Sequence, residues 1–148
     1  MIAVGRLKSG PEHELVSTYL ARLKPAPAGL GPLMIAEIDE RKDTERAVAE
    51  AIRALPRAAR KIALDETGQA IGTRALAELL AGWRDSGAPE AAFIIGGADG
   101  LSDETRKAAD MVLSLGKLTW PHRLARAMIA EQLYRVASLL AGHPYHRE

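Results

Sequence analysis

No cysteine occurs anywhere in this chain. That absence rules out a disulfide framework, a thiolate nucleophile and Cys-ligated zinc, and it suits a reducing compartment. Long hydrophobic runs are missing too: no apolar stretch approaches the roughly 20 residues of a membrane span. The segment Met1-Ile2-Ala3-Val4-Gly5-Arg6 lacks the basic region and following apolar stretch that secretion requires, so a soluble cytoplasmic protein without a membrane partner is expected. An excess of charge of one sign is lacking as well. The 20 basic residues nearly cancel 19 acidic ones, for a net charge of +1. There is thus no global pull toward nucleic acid, and any such partner must be met by a local patch. The familiar phosphate loops are absent. No G-x-G-x-x-G follows the first strand, and Gly116-Lys117-Leu118-Thr119 has neither the upstream glycine nor the Lys-Thr adjacency of a P-loop. Dinucleotide and NTP chemistry lose support.

What is present fits one ordinary domain, residues 1–148, long enough to bury roughly 68–70% of its unfolded surface. Short β-rich runs alternate with helical periodicity, the pattern of a mostly parallel sheet with helices on both faces. Strands are expected over Met1 to Leu7, Leu33 to Asp39, Lys61 to Asp65, Ala91 to Ile95 and Met111 to Leu115. Between them, Val16, Tyr19, Leu20 and Leu23 fall at helical spacing, as do Val48, Ala51, Ile52 and Leu55, and then Leu76, Leu79, Leu80 and Trp83. Caps are expected at Asp43 or Thr44, near Thr73, and at Ser102 for a short helix to Ala109. Pro121 to Ala141 is the last and longest helix. Pro25 to Pro32 reads as a linker too short to separate domains.

Two loops and a tail carry the chemistry. Gly96-Gly97-x-x-Gly100 closes the fourth strand at its carboxyl end, where open α/β sheets place their ligands. Its glycines permit close backbone approach, and Asp99 can accept hydrogen bonds from a ligand; read alone, the same segment is also an ordinary strand-to-helix turn. In the final helix Ile129, Leu133, Val136 and Leu140 form a core stripe, with Arg123, Arg126, Glu131 and Arg135 off it. Glu131 and Arg135 stand in the favourable order for a helical ion pair, while an arginine here can also meet RNA phosphate or a partner subunit. His122 lies in the first turn. After Gly142, a helix C-cap, His143, Tyr145, His146 and Arg147 are expected to project as an extended segment that frames a base by stacking and hydrogen bonding, or else to fray as a polar terminus. His143-x-x-His146 lacks the further ligands of a closed metal site, so no metal is expected.

Taken in order, Leu64-Asp65 with Gly68, Ile94-Ile95-Gly96-Gly97-x-Asp99-Gly100-Leu101-Ser102, Leu115 to Trp120 into Pro121-His122-x-Leu124-x-Arg126, Glu131-Gln132-x-Tyr134-Arg135 and Pro144-Tyr145-His146 resemble the ribosomal RNA large subunit methyltransferase H family. These are small SPOUT-class enzymes that methylate N3 of a pseudouridine in large-subunit ribosomal RNA. The resemblance runs the length of the chain. It implies an α/β domain with a C-terminal trefoil knot, which general rules against threading would discourage. It implies an S-adenosyl-L-methionine site made of Leu64, Gly96, Leu115, Gly116, Lys117, Leu118, Thr119 and Trp120. It also implies a homodimer in which the cofactor loops of one subunit face substrate-binding residues of the other. Ala98 stands where relatives often carry proline, and the leading strand is trimmed by a few residues.

Methyl transfer from a sulfonium is an in-line displacement in which cofactor charge disappears, so alignment and desolvation dominate and no metal is required. The acceptor imide must lose a proton. His146, with His122 as the second choice, is the candidate base; Arg147 or Arg126 would hold a phosphate or an enolate-like base; and Tyr145 would stack on the target. His122, Arg126, His143 and Tyr145 form the expected substrate-binding set. The substrate would be the large subunit or an assembled ribosome. The competing readings are a SPOUT enzyme with another RNA substrate, and a non-catalytic ribosome-binding factor.

Overall fold

A computed structural model of the chain describes residues 1–40 and 43–145. Among the described residues ten strands and α-helices follow one another: β1 (Ile2–Val4), α1 (Pro11–Leu23), β2 (Ala36–Ile38), α2 (Thr44–Arg53), β3 (Arg60–Ala70), α3 (Thr73–Asp85), β4 (Ala91–Ile95), α4 (Asp103–Lys107), β5 (Met111–Ser114) and α5 (His122–Leu140). A 3₁₀ turn at Pro27–Gly29 interrupts the linker between α1 and β2, and Arg84 pins it by donating to the Ala28 carbonyl at 2.6 Å.

Among the described residues the strands form one parallel sheet in the order β2-β1-β4-β3-β5. Alternating side chains divide the core between its faces, as the two-residue period of a strand requires. Ala3, Ile62, Phe93 and Leu113 pack with Leu76 and Leu80 of α3 and Ile129, Leu133 and Val136 of α5. Ile2, Val4, Ala63 and Ile94 face the other way, against Val48 of α2 and Leu101. Because both of their faces are covered, the inner strands β1 and β4 read as continuous apolar runs.

Local chemistry sets the ends of the elements. The Asp43 carboxylate accepts from the Arg46 amide at the start of α2, and the Ser102 hydroxyl accepts from the Thr105 amide at the start of α4. Helix α1 begins on a proline after Gly10, and with no N–H at that position no acceptor is needed there. Gly142, in the left-handed region at φ +67°, closes α5, and the His143 amide returns to the Ser138 carbonyl.

Three expectations need correction. The first strand stops at Val4 because Gly5, at φ +87°, turns the chain away. The second covers only Ala36–Ile38. The third runs on past Asp65: after pairing Leu64 with Leu113, the chain bulges out and returns to pair Gln69 with Leu113 and Ala70 with Ser114. Gly68 permits that return, since a Cβ there would lie 2.7 Å from the Val112 carbonyl.

Candidate functional site

The sheet brings three strand ends level with one another. Leu64 of β3 pairs with Ile95 of β4 on one side and Leu113 of β5 on the other. The segments that follow, 65–67, 96–100 and 115–120, leave the sheet at the same edge and enclose a cavity of about 380 Å³. The first turn of α5 closes it with His122 and Ala125. This is the carboxyl edge of a parallel sheet, where backbone groups released from the ladder are free to meet a ligand.

Each wall is held by its own hydrogen bonds. The loop after β4 folds tightly: the Gly100 amide donates to the Gly97 carbonyl at 3.1 Å, and a Cβ on Gly96 would stand 2.4 Å from the Gly100 carbonyl. Only glycine fits at 96. The loop after β5 turns at Gly116, φ +115°, where the Ser114 hydroxyl donates to the Gly116 carbonyl at 2.7 Å and accepts from its amide at 3.2 Å. Across the mouth, the Thr119 hydroxyl donates to Glu66 at 2.9 Å.

Asp65 organises the third wall. One carboxylate oxygen accepts from the Thr67 amide and hydroxyl at 3.0 and 2.6 Å, and the other accepts from Arg106 at 2.7 Å. Burial alone would raise its pKa, but the hydrogen bonds from Thr67 and Arg106 outweigh burial and hold it below the usual carboxylate value. The other arm of Arg106 pairs with Asp103.

Of the residues expected to hold a cofactor, Leu64, Gly96, Leu115, Gly116, Leu118, Thr119 and Trp120 line this cavity together, and Lys117 does not. Leu118 is 69% exposed and Trp120 37%, so the mouth carries apolar surface open to solvent. Asp65, Thr67 and Arg106 are lining residues that the sequence reading missed. Asp65 and Arg106 lie 41 positions apart, and no local spacing announces the pair.

The expected substrate set is divided. His122 stands at the cavity, half-buried, with Nε2 3.9 Å from Glu40. Arg126 is not on the surface at all: it is 1% exposed, and its guanidinium donates to the Val4 and Gly5 carbonyls and to Glu37. It therefore cannot meet a phosphate in this chain, which corrects its expected role. Tyr145 does not extend away from α5 but folds back on it. Its ring meets Tyr134 at 4.7 Å edge-on, Arg135 lies 5.1 Å from its centroid, and its hydroxyl reaches Glu131 at 3.3 Å and the Tyr19 hydroxyl at 3.5 Å. The bond with Tyr19, then burial and Glu131, push the Tyr145 phenol up to about 12. His143 is exposed and accepts from the Tyr145 amide at 3.2 Å. His146 and Arg147 lie outside the described residues.

Helix α5 has 19 residues, about 28 Å at 1.5 Å per residue. His122 stands in the first turn of this rod and Tyr145, folding back from the other end, reaches only as far as Glu131, nine positions on and about 13 Å along the axis, so within a single chain Tyr145 does not line the cavity. Between them runs a second, more apolar groove of about 540 Å³, lined by Leu15, Tyr19, Leu124, Ala127 and Met128 and reaching the other side of Leu115 and Gly116.

A parallel α/β sheet with a ligand cavity at its carboxyl edge is an architecture shared by many enzymes, and comparison with known proteins narrows the class. A family model described as "Predicted SPOUT methyltransferase" matches residues 1–146. A solved structure of ribosomal RNA small subunit methyltransferase E from Neisseria gonorrhoeae bound to S-adenosyl methionine shares the fold, with TM-score 0.52 and 13% identity over 89% of this chain and 64% of that one. This chain spans a little under two thirds of that structure.

The nearer likeness is in sequence. A ribosomal RNA large subunit methyltransferase H from Roseobacter denitrificans is 48% identical over 99% of this chain and 97% of its own length. The protein of that name from Paramagnetospirillum magneticum is 46% identical over 98% and 95%, and the one from Xanthobacter autotrophicus 46% over 99% and 97%. The chain belongs to the SPOUT methyltransferases and, within them, to the ribosomal RNA large subunit methyltransferase H family.

Proposed function

We propose that this chain is an S-adenosylmethionine-dependent methyltransferase that acts on large-subunit ribosomal RNA, at N3 of a pseudouridine, on the large subunit or the assembled ribosome. One observation carries the reading: seven of the residues that the family resemblance assigns to the cofactor surround a single cavity at the ends of β3, β4 and β5. The donor set suits the molecule. Leu64, Ile95, Leu115 and Leu118 offer apolar contact to a flat ring, while the 115–120 segment offers backbone groups to its edges. When bound there, S-adenosylmethionine supplies a sulfonium methyl for in-line transfer.

The chain's own residues do the rest. Gly96 and Gly116 let main chain close on the ligand without side chains in the way. The Asp65–Arg106–Thr67 cluster keeps the 65–67 turn in place, and Trp120 and Leu118 exclude water at the mouth. His146, or His122 at the cavity rim, takes the proton from the acceptor imide, and Arg147 holds the developing anion or a neighbouring phosphate. Tyr145 stacks on the target base.

We infer further that two copies make the site. Tyr145 folds back only to Glu131 and does not line the cavity, and the apolar groove that Glu131 and Tyr19 border reaches the cofactor loop at Leu115 and Gly116. A second copy seated in that groove, running the other way, brings its tail to the first copy's cavity, which suits the homodimer that the resemblance implies. The C-terminal trefoil knot belongs to the same proposal, as does the reading of residues 1–148 as one domain.

The test is to incubate the purified protein with labelled S-adenosylmethionine and, in separate reactions, ribosomes or transfer RNA lacking modifications, then map the labelled nucleotide. Label at N3 of one large-subunit pseudouridine is expected. Label on transfer RNA alone would move the protein to another SPOUT substrate, and cofactor binding without transfer would make it a ribosome-binding factor.

A further inference from the structure

We propose that Arg126 is a positioning residue for the cofactor cavity, acting from beneath it through the end of β1. The inference rests on the cofactor reading given above and deepens it. Arg126 is the largest of the fully buried side chains. One of its terminal nitrogens donates to the carbonyls of Val4 and Gly5, the latter at 2.7 Å, and the other to Glu37 at 3.2 Å. The same Glu37 oxygen accepts the Leu7 amide at 2.8 Å. A single guanidinium therefore gathers the end of β1, the middle of β2 and the first turns of α5.

The arrangement is costly. Burial pulls the Arg126 pKa below the usual arginine value against the pull of Glu37 and Glu40, and its Nε has no hydrogen-bond partner among the described residues. A well-packed apolar side chain of similar volume is often as stable as a buried ion pair or more so. Stability alone gives little reason for an arginine here.

The position supplies a reason. The two carbonyls that Arg126 holds lie where Gly5 turns the chain at φ +87°. Immediately above, Gly97 rests on Val4 so closely that a Cβ on it would stand 2.9 Å from Val4 Cγ1. Gly97 and its neighbour Gly96 are one wall of the cavity. On its own helix, Arg126 follows Ala125 and lies one turn beyond His122, which line the opposite wall. By joining β1 to α5, Arg126 fixes the separation of the Gly96–Gly100 loop from the first turn of the helix. A shift of an ångström in that separation costs affinity without any loss of contact to the ligand itself.

The test uses the full chain with Arg126→Met, Arg126→Lys and Glu37→Gln. Calorimetry reads affinity for S-adenosylmethionine, sedimentation reads ribosome binding, and steady-state assays separate kcat from KM for the cofactor. Arg126→Met is expected to weaken cofactor binding and raise its KM roughly tenfold or more, with ribosome binding unchanged. Arg126→Lys, able to reach some of the same acceptors, is expected to recover part of the loss. A lower melting temperature with native cofactor affinity would overturn the proposal, as would native cofactor affinity with weakened ribosome binding, which would restore a phosphate-contact role. Should Arg126→Met not fold, Arg126→Lys and Glu37→Gln decide by the same split: native affinity and KM in both overturn the proposal, and weakened cofactor binding in either supports it. Wild-type protein that binds no S-adenosylmethionine removes the cofactor reading and this inference with it, whereas unchanged affinity in the variants removes the inference alone.

Discussion

Asp65 and Arg106 meet at 2.7 Å on the wall of the cavity, one from the bulge in β3 and the other from α4, 41 positions further on. The Asp65 side chain is only 9% exposed, and its carboxylate accepts from Thr67 on one oxygen and from Arg106 on the other.

Stability should therefore depend on acid in a defined direction. The Asp65 pKa is lowered in the folded state, so the stability it contributes is complete above the unfolded carboxylate value of about 3.9 and is lost as pH falls through the lower folded value. Asp65→Asn is expected to cost about 2 kcal/mol near neutral pH and to lower the melting temperature by about 4–8 °C. Melts from pH 7 down to pH 2 would show wild type and variant converging at the acid end.

Gly96→Ala tests the tight loop. A Cβ 2.4 Å from the Gly100 carbonyl cannot be absorbed by a flexible side chain, because the obstacle is backbone. The loop must open, at a cost of about 1–3 kcal/mol. Cofactor affinity, followed by calorimetry, is expected to fall by more than the change in melting temperature suggests.

The Tyr145 phenol should ionise late. With its pKa pushed up to about 12, it stays neutral while an ordinary phenol of pKa about 10 titrates. What it contributes to stability is complete below that ordinary value and is lost as pH rises through the folded one. Phenolate absorbance through the alkaline range should lose a component near pH 12 in Tyr145→Phe. That variant keeps the ring against Tyr134 and should keep methyl transfer, whereas Tyr145→Ala should lose it.

Shared sites predict complementation. Gly96→Ala damages the cavity and Tyr145→Ala the tail, so each variant alone should be poorly active. If the site is built from two copies, mixing them under conditions of subunit exchange places an intact tail beside an intact cavity in each mixed dimer, and activity rises. No recovery would assign both parts of the site to one chain. Leu15→Asp, at the rim of the apolar groove, should yield a monomer by sedimentation and an inactive protein.

Much of this was legible in the sequence because parallel α/β proteins write their elements plainly. The fourth strand is Ala91–Ile95 as expected, and Ser102 caps α4 as its position before Asp103 implies. What escaped depends on contacts across the chain. The return of β3 onto β5 after Gly68 carries no strand signal of its own, since it rests on the missing Cβ opposite Val112. Strand order depends on crossovers that periodicity does not record. Arg126 is a different case: the spacing Arg126, Ile129, Leu133, Val136 puts it on the buried stripe of α5, whereas an arginine by residue type belongs at the surface. The backbone acceptors at Val4 and Gly5 that make such a burial tolerable lie more than 100 positions away.

The central claim is that the cavity between the 96–100 and 115–120 segments holds S-adenosylmethionine. The most direct measurement is diffraction from crystals grown with that molecule. The expected result is density for the adenine between Leu64, Gly96 and the 115–120 segment; density at another place, or none in this cavity at saturating ligand, would contradict it.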